Sequence, residues 1–137
     1  MESANADGAA AAGTYFAQVY AFSWATGDLS LWMSMSGPAC ELCTRIADDI
    51  EAMKAVGNYS TSAPVDVVRA DGTEIDPGRW YSADLEIVQG PSQVKAPDGT
   101  LVSDNEGGPA RFFLALAWLD GRWQIEAADF LPSELSS

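Results

Sequence analysis

Apolar positions recur at helical spacing as far as Gly57 and at alternating spacing over most of the remaining chain. From Ala9 to Thr26 the chain is rich in alanine and aromatics. Tyr15, Val19 and Phe22 fall at i, i+4 and i+7, with Phe16, Tyr20 and Trp24 one step round the helix. That is a broad apolar stripe of the kind that lies across a sheet. Gly27 ends it, and Asp28 is placed to cap a second, short helix, Leu29 to Met35, which carries Trp32. Ser36-Gly37-Pro38 breaks the chain and opens a third helix, since proline is tolerated in a first turn. Its stripe is Leu42, Ile46, Ile50 and Met53, with Glu41, Asp48, Asp49 and Glu51 on the opposite side and Gly57 as its stop.

Beyond residue 63 the period becomes two. Val65 to Arg69 reads as a strand and Asp71-Gly72 as a tight turn. Tyr81, Ala83, Leu85 and Ile87 alternate with Ser82, Asp84 and Glu86, giving a strand with one wet face and its acids pointing outward. Pro97-Asp98-Gly99 is a further turn before a short strand around Leu101, and Ser103 to Pro109 reads as a loop. Arg111 to Leu119 and Arg122 to Ala128 flank Asp120-Gly121, a strong hairpin signal. In that register Leu119 faces Arg122, Trp118 faces Trp123, Leu116 faces Ile125 and Leu114 faces Ala127. The last three pairs make an apolar face that must meet the helices. Helices first and antiparallel strands after argue an α+β domain. Its expected limits are 14–131, between a flexible lead-in at 1–13 and a tail at 132–137.

At 137 residues, 47% of them apolar, the chain can bury a core of its own. No apolar run approaches the roughly 20 residues of a membrane-spanning helix. Met1 to Gly13 shows no charged-then-apolar secretory pattern, and the chain is read as a mature region behind a new Met1. Net charge is −13, from 20 acidic against 7 basic residues, and the arginines are scattered. That charge repels phosphate backbones, so nucleic acid is excluded as a partner, and anionic lipid surfaces are disfavoured. A calcium loop is absent: Asp98, Asp104, Asn105 and Glu106 are the nearest approach to one. The charge is read as serving solubility.

Cys40 and Cys43 are the only cysteines, spaced C-x-x-C at the start of the third helix. With no histidine and no third cysteine, an intrachain zinc site lacks its four ligands. A redox pair, a structural disulfide and two free thiols all stay open on the spacing alone. A redox pair favours a helix start but normally follows a strand. A disulfide needs Cβ atoms about 3.8 Å apart, against roughly 5–6 Å at i, i+3 in a regular helix. It therefore fits only if the first turn tightens or Cys40 lies at the cap.

Four motifs in order carry a resemblance. Tyr20-Ala21-Phe22-Ser23-Trp24-Ala25-Thr26-Gly27-Asp28, Cys40-Glu41-Leu42-Cys43, Gly107-Gly108-Pro109-Ala110-Arg111 and Asp120-Gly121-Arg122-Trp123 together resemble an actinobacterial family of exported, often lipid-anchored proteins of unknown function. More distantly, the chain is similar to the cystatin-like cone typified by nuclear transport factor two, in which N-terminal helices pack on a curved antiparallel sheet around a pocket. The resemblance implies an extracytoplasmic setting, a Cys40–Cys43 disulfide and a cone fold, and it carries no catalytic residues. Between Gly57 and Trp80 the chain departs from it with extra residues.

Without histidine the usual general base near neutral pH is missing. No nucleophile elbow, phosphate loop or dinucleotide motif is present, and no cofactor is implied. The expected role is binding or protein interaction. Tyr20, Trp24, Trp32 and Tyr81 are the candidate lining of a small-molecule pocket, against the competing reading that they fill the core. Phe113, Ala115, Ala117 and Leu119 alternate away from the core face of their strand. A strand apolar on both sides has its outer face covered, either by a second copy in a homodimer or by Phe130 and Leu131 of the same chain.

Overall fold

The computed structural model describes residues 3–62 and 64–132. Three helices, α1 (Ala6–Thr26), α2 (Ser30–Met35) and α3 (Glu41–Ala55), precede seven strands. These are β1 (Tyr59–Ser62), β2 (Asp66–Asp76), β3 (Trp80–Gln89), β4 (Ser92–Lys95), β5 (Leu101–Asn105), β6 (Gly108–Leu119) and β7 (Arg122–Leu131). The strands form two antiparallel sheets, a large one in the order β2-β3-β6-β7 and a small one in the order β1-β4-β5. The α+β order stands as expected. The second sheet does not follow from the pattern, because β1 and β4 have four residues each and neither alternates cleanly.

The first helix starts at Ala6, so residues 6–13, expected as a flexible lead-in, are helical. Asn5 caps them by accepting a hydrogen bond from the Gly8 amide at 2.7 Å, and alanine carries the highest intrinsic helix propensity. Ala9, Ala12 and Gly13 are buried against the large sheet, where a side chain at Gly13 would press on Ala83 and Leu114. Further along, the buried side chains enlarge. The Phe16 ring stacks on Trp32 of α2 at 4.1 Å, and Phe112 of β6 lies parallel to it at 6.3 Å. Phe130 of β7 stacks on Phe112 and meets Tyr20 at 5.2 Å. Leu42, Ile46, Ile50 and Met53 of α3 are buried as their spacing predicts. No helix among the described residues is long and apolar enough to cross a membrane.

Asp71-Gly72 is not a turn. Strand β2 runs through it to Asp76, and the chain reverses at Pro77-Gly78-Arg79, where Gly78 has φ +77°. Gly72 is there because the backbone of α1 passes over it: a methyl group would overlap the Ala6 carbonyl oxygen. The glycine marks a close approach of backbones, not a left-handed residue. Likewise Ser103 to Pro109 is mostly strand, with β5 reaching Asn105 and β6 starting at Gly108.

In the β6–β7 hairpin Leu119↔Arg122, Trp118↔Trp123 and Leu116↔Ile125 pair as expected, but Leu114 meets Ala128, not Ala127. A bulge between Ala115 and Leu116 takes up one residue of β7. A bulge shifts the side-chain alternation by one, which turns Ala128 and Phe130 to the core side and leaves Ala127 exposed. Phe130 therefore belongs to the core and does not cover the outer face. On that face Phe113 and Leu119 are 37% and 44% exposed, Ala115 is half-buried, and Ala117 is buried within the chain itself.

The outer-face acids are tied down. Arg111 grips Asp84 with two hydrogen bonds of 2.8 and 2.5 Å, which holds the Asp84 carboxyl below its ordinary range. Glu86, in register between Arg69 and Arg111, has Arg69 at 3.9 Å and is buried, not wet as the alternation implies.

Gly72→Ala is expected to destabilise the protein by about 1–3 kcal/mol, the usual cost of overpacking, seen as a lower urea midpoint at unchanged slope. Thr73→Ala, an exposed neighbour on the same strand, is the comparison and is expected to change stability by less than about 0.5 kcal/mol. Equal effects of the two would show that the helix crossing does not determine the loss.

Candidate binding cavity

An open cavity of about 200 Å³ lies between the C-terminal half of α1 and the small sheet. The helix contributes Tyr20, Ala21 and Trp24. Strand β1 supplies Ser60, and Val65 lies just ahead of β2. Gln89 and Gly90 come from the end of β3, where the chain leaves the large sheet for the small one. The β4–β5 hairpin provides the remainder: Ser92, Gln93 and Val94 on one strand, Ser103 and Asn105 on the other.

Glycine sets this junction. Gly107 (φ +75°) and Gly108 (φ +119°) have positive φ, which a side chain disfavours. A methyl group at Gly107 would overlap the carbonyl oxygens of Gln89 and Gly90, so the strands leading into and out of the hairpin pass backbone to backbone. The Asn105 side chain accepts from the Gly107 amide at 2.8 Å and fixes the turn beside the cavity.

Of the four aromatic residues expected as lining, Tyr20 and Trp24 are in the wall and the other two are not. Trp32 is fully buried, stacked on Phe16, with its indole N–H donating to the Cys43 carbonyl at 2.9 Å. Tyr81 is fully buried edge-on to Trp123; its hydroxyl donates to the Ala4 carbonyl at 2.7 Å and accepts from the Gly78 amide at 2.8 Å. Both are core residues with their polar tips satisfied. No sequence pattern marks the polar wall, since Gln89, Ser92, Gln93, Ser103 and Asn105 look like ordinary loop and edge residues. The glycines flanking the hairpin are the available signal.

Among the described residues no Asp, Glu, Lys or Arg lines the cavity. Its one titratable group is the Tyr20 phenol, which burial pushes up, with Asp49 adding to the rise. The Trp24 indole N–H beside it acts the other way, although it meets full hydrogen-bond geometry with no group among the described residues. A tyrosine shifted upward is neutral at physiological pH.

Cys40 and Cys43 form a disulfide, with sulfurs 2.09 Å apart. Cys40 sits at the cap of α3 in extended backbone, which meets the geometric condition of the spacing, and its Sγ accepts from the Cys43 amide at 3.2 Å. Both cysteines are buried, and the Cys43 carbonyl takes the Trp32 hydrogen bond where α2 meets α3. An attacking thiolate needs access to a sulfur, so burial removes the basis for a redox pair. Among the described residues no three His, Cys, Asp or Glu side chains cluster to hold a metal. Of the calcium candidates, Asp98 accepts from Thr100, which lowers its carboxyl pKa, and Asn105 serves the Gly107 turn.

Helices packed on antiparallel strands around a cavity define an α+β cone of the cystatin-like kind. The chain belongs to DUF6318, a family of unknown function, whose pattern matches residues 1–129. Its backbone is similar to the intermembrane space region of the chloroplast protein ARC6, at a TM-score of 0.71 and 10% identity, over 94% of this chain and 98% of that one. It is also similar to an uncharacterised protein with a cystatin-like fold from Caulobacter vibrioides, at a TM-score of 0.51 and 14% identity, over 92% and 88% of the two chains. These likenesses establish the fold. No curated protein matches the chain.

The buried disulfide is expected to resist dithiothreitol in native buffer and to yield two alkylated thiols only in urea. Double labelling of folded protein would show that the sulfurs are reachable after all. Replacing both cysteines by serine is expected to lower stability by about 2 kcal/mol, the value for closing so short a loop.

Proposed function

We propose that this protein is a non-catalytic binding module working outside the cytoplasm, and that the cavity at the C-terminal half of α1 is its site. The observation that carries this reading is an open, uncharged cavity in a chain of net charge −13. Among the described residues its wall offers no carboxylate, ammonium or imidazole to move a proton near neutral pH, and Tyr20 is shifted away from that range. Its polar groups are neutral amides and hydroxyls, which orient a ligand by hydrogen bonds. The extracytoplasmic setting draws its support from the disulfide, since such bonds persist in oxidising compartments.

A neutral apolar dye, N-phenyl-1-naphthylamine, is the first probe. Saturable dye fluorescence with a shift in tryptophan emission is expected, and it should be lost in Ala21→Trp, where a large ring on the helix fills the cavity. The variant is first checked for an unchanged circular dichroism spectrum. No saturable signal from the native protein, or the same signal from folded Ala21→Trp, would overturn the assignment.

A second reading, a homodimer through the outer face of the large sheet, is favoured by the exposure of Phe113 and Leu119, with Trp80 of β3 beside Ala117. Sedimentation at micromolar concentration is expected to give twice the chain mass, falling to a monomer in Phe113→Ser. A monomer for the native protein removes this reading.

A further inference from the structure

We infer that the ligand class of the cavity is a neutral saccharide unit; the inference rests on the cavity being the binding site. Charge is the first ground for it. One residue in five of this chain is charged, so twelve average residues would carry about two such side chains, and the twelve described lining residues carry none. A neutral wall inside a strongly anionic protein disfavours phosphorylated and carboxylated ligands, which the surrounding field repels, and offers no countercharge to a cation.

The kind of polar group present narrows the class further. Gln89, Ser92 and Ser103 line the cavity, and their side chains make no hydrogen bond within the chain among the described residues. Every one of them can both donate and accept. A ligand that uses them must carry hydroxyl or amide groups of the same dual character. A lipid tail would leave them without partners on burial, at a cost of roughly 1–3 kcal/mol each. Tyr20 and Trp24 supply an aromatic side to the same space. A molecule with an apolar ring surface and a rim of hydroxyls or an acetamide group fits both. At about 200 Å³ the space is smaller than the ~300–1,000 Å³ of drug-sized sites, which suits a compact ligand such as one sugar unit or a small dye.

The edge of the small sheet separates a sugar from a peptide, which shares the neutral, dual-character chemistry. A peptide would be expected to add to the free edge of β5, next to Ser103 and Asn105. That edge is interrupted: Lys95 pairs with Leu101 and Val94 with Ser103, so Val102 is an extra residue in a bulge. A bulge is one of the devices that prevent strand addition at an edge. Only Ser103 to Asn105 remain regular, a short template for backbone pairing.

The test uses the full chain, calorimetry and saturation-transfer NMR, with N-acetylglucosamine, methyl β-glucoside, glucuronate and N-acetylalanine methylamide as probes. Chitotetraose and cellotetraose are included to separate a free sugar from a unit of a polymer. A neutral sugar is expected to bind and glucuronate not to. Gln89→Leu is expected to weaken the sugar about tenfold, as for the loss of one or two neutral hydrogen bonds, while N-phenyl-1-naphthylamine binding persists. Tighter binding of a tetrasaccharide than of its monomer would assign the site to a polymer; equal binding would assign it to a free sugar. Dye binding without any sugar binding, preferential binding of the peptide analogue, or sugar binding untouched by Gln89→Leu would each overturn the saccharide assignment and leave the cavity as a site. Loss of both dye and sugar signals would overturn the site itself.

Discussion

The rest of the structure depends on how closely the first helix approaches the large sheet. At its N-terminal half the contact is made by the smallest residues available: Ala9, Ala12 and Gly13 on the helix, Gly72 and Ala83 on the strands. There the backbones nearly touch. At its C-terminal half the same helix presents Phe16, Tyr20 and Trp24, and Phe112 and Phe130 answer from the strands. Because interiors pack to near-crystalline density, a helix flanked by small residues at one end and large ones at the other spans a gap that widens along its length. The helix is about 32 Å long. Over that length the taper makes a closed end, tightly packed, and an open end where the cavity lies.

The open end then needs a second wall, and the small sheet supplies it. The chain leaves β3 through Gly90 and returns to β6 through Gly107 and Gly108, with the outgoing and incoming backbones in contact at the neck. The β4–β5 hairpin packs on β1, and β1 in turn packs on α1, so the wall is referenced to the same helix that forms the floor. At the closed side the disulfide and the cap at Cys40 hold the start of α3, while the Gly37 amide donates to the Ile125 carbonyl at 2.7 Å and covers part of the β7 edge. Rigid packing at one end and an exposed hairpin at the other are the distribution expected of a binding domain, in which the ligand-facing segment is the less buried one.

How much of this is legible in the residues depends on which signals are local. The stripe of α3, the Asp120-Gly121 hairpin and the helix-then-strand order depend on neighbours within a few residues, and all are present. Gly72 passes for a turn residue because a glycine required by a distant backbone looks the same as one required by a reversal. The bulge in β7 moves the partner of Leu114 from Ala127 to Ala128, since counting back from a turn assumes an unbroken ladder. Among the aromatics, Tyr20 and Trp24 share a helix with Phe16 but differ in position along the taper, a tertiary property with no sequence period. Trp32 and Tyr81 have the right chemistry for a wall and the wrong depth. The polar wall is the least legible part, because neutral amides and serines acquire meaning only when separate segments bring them to one space.

Charge completes the basis for selectivity. Three acids are engaged away from the cavity: Asp84 by Arg111, Glu86 between two arginine-bearing strands, and Asp28 by the Ser30 amide and hydroxyl, which lowers its pKa. Each is placed where an arginine or the N-terminal end of a helix balances it. With a net charge of −13, the field outside the cavity is strongly negative, while its described wall is neutral. A charged molecule finds repulsion or no countercharge there, and an apolar one gains the aromatic side alone and leaves the amides unused. A neutral, hydroxyl-rich ligand meets neither penalty, so discrimination comes from what the wall leaves out as much as from what it contains.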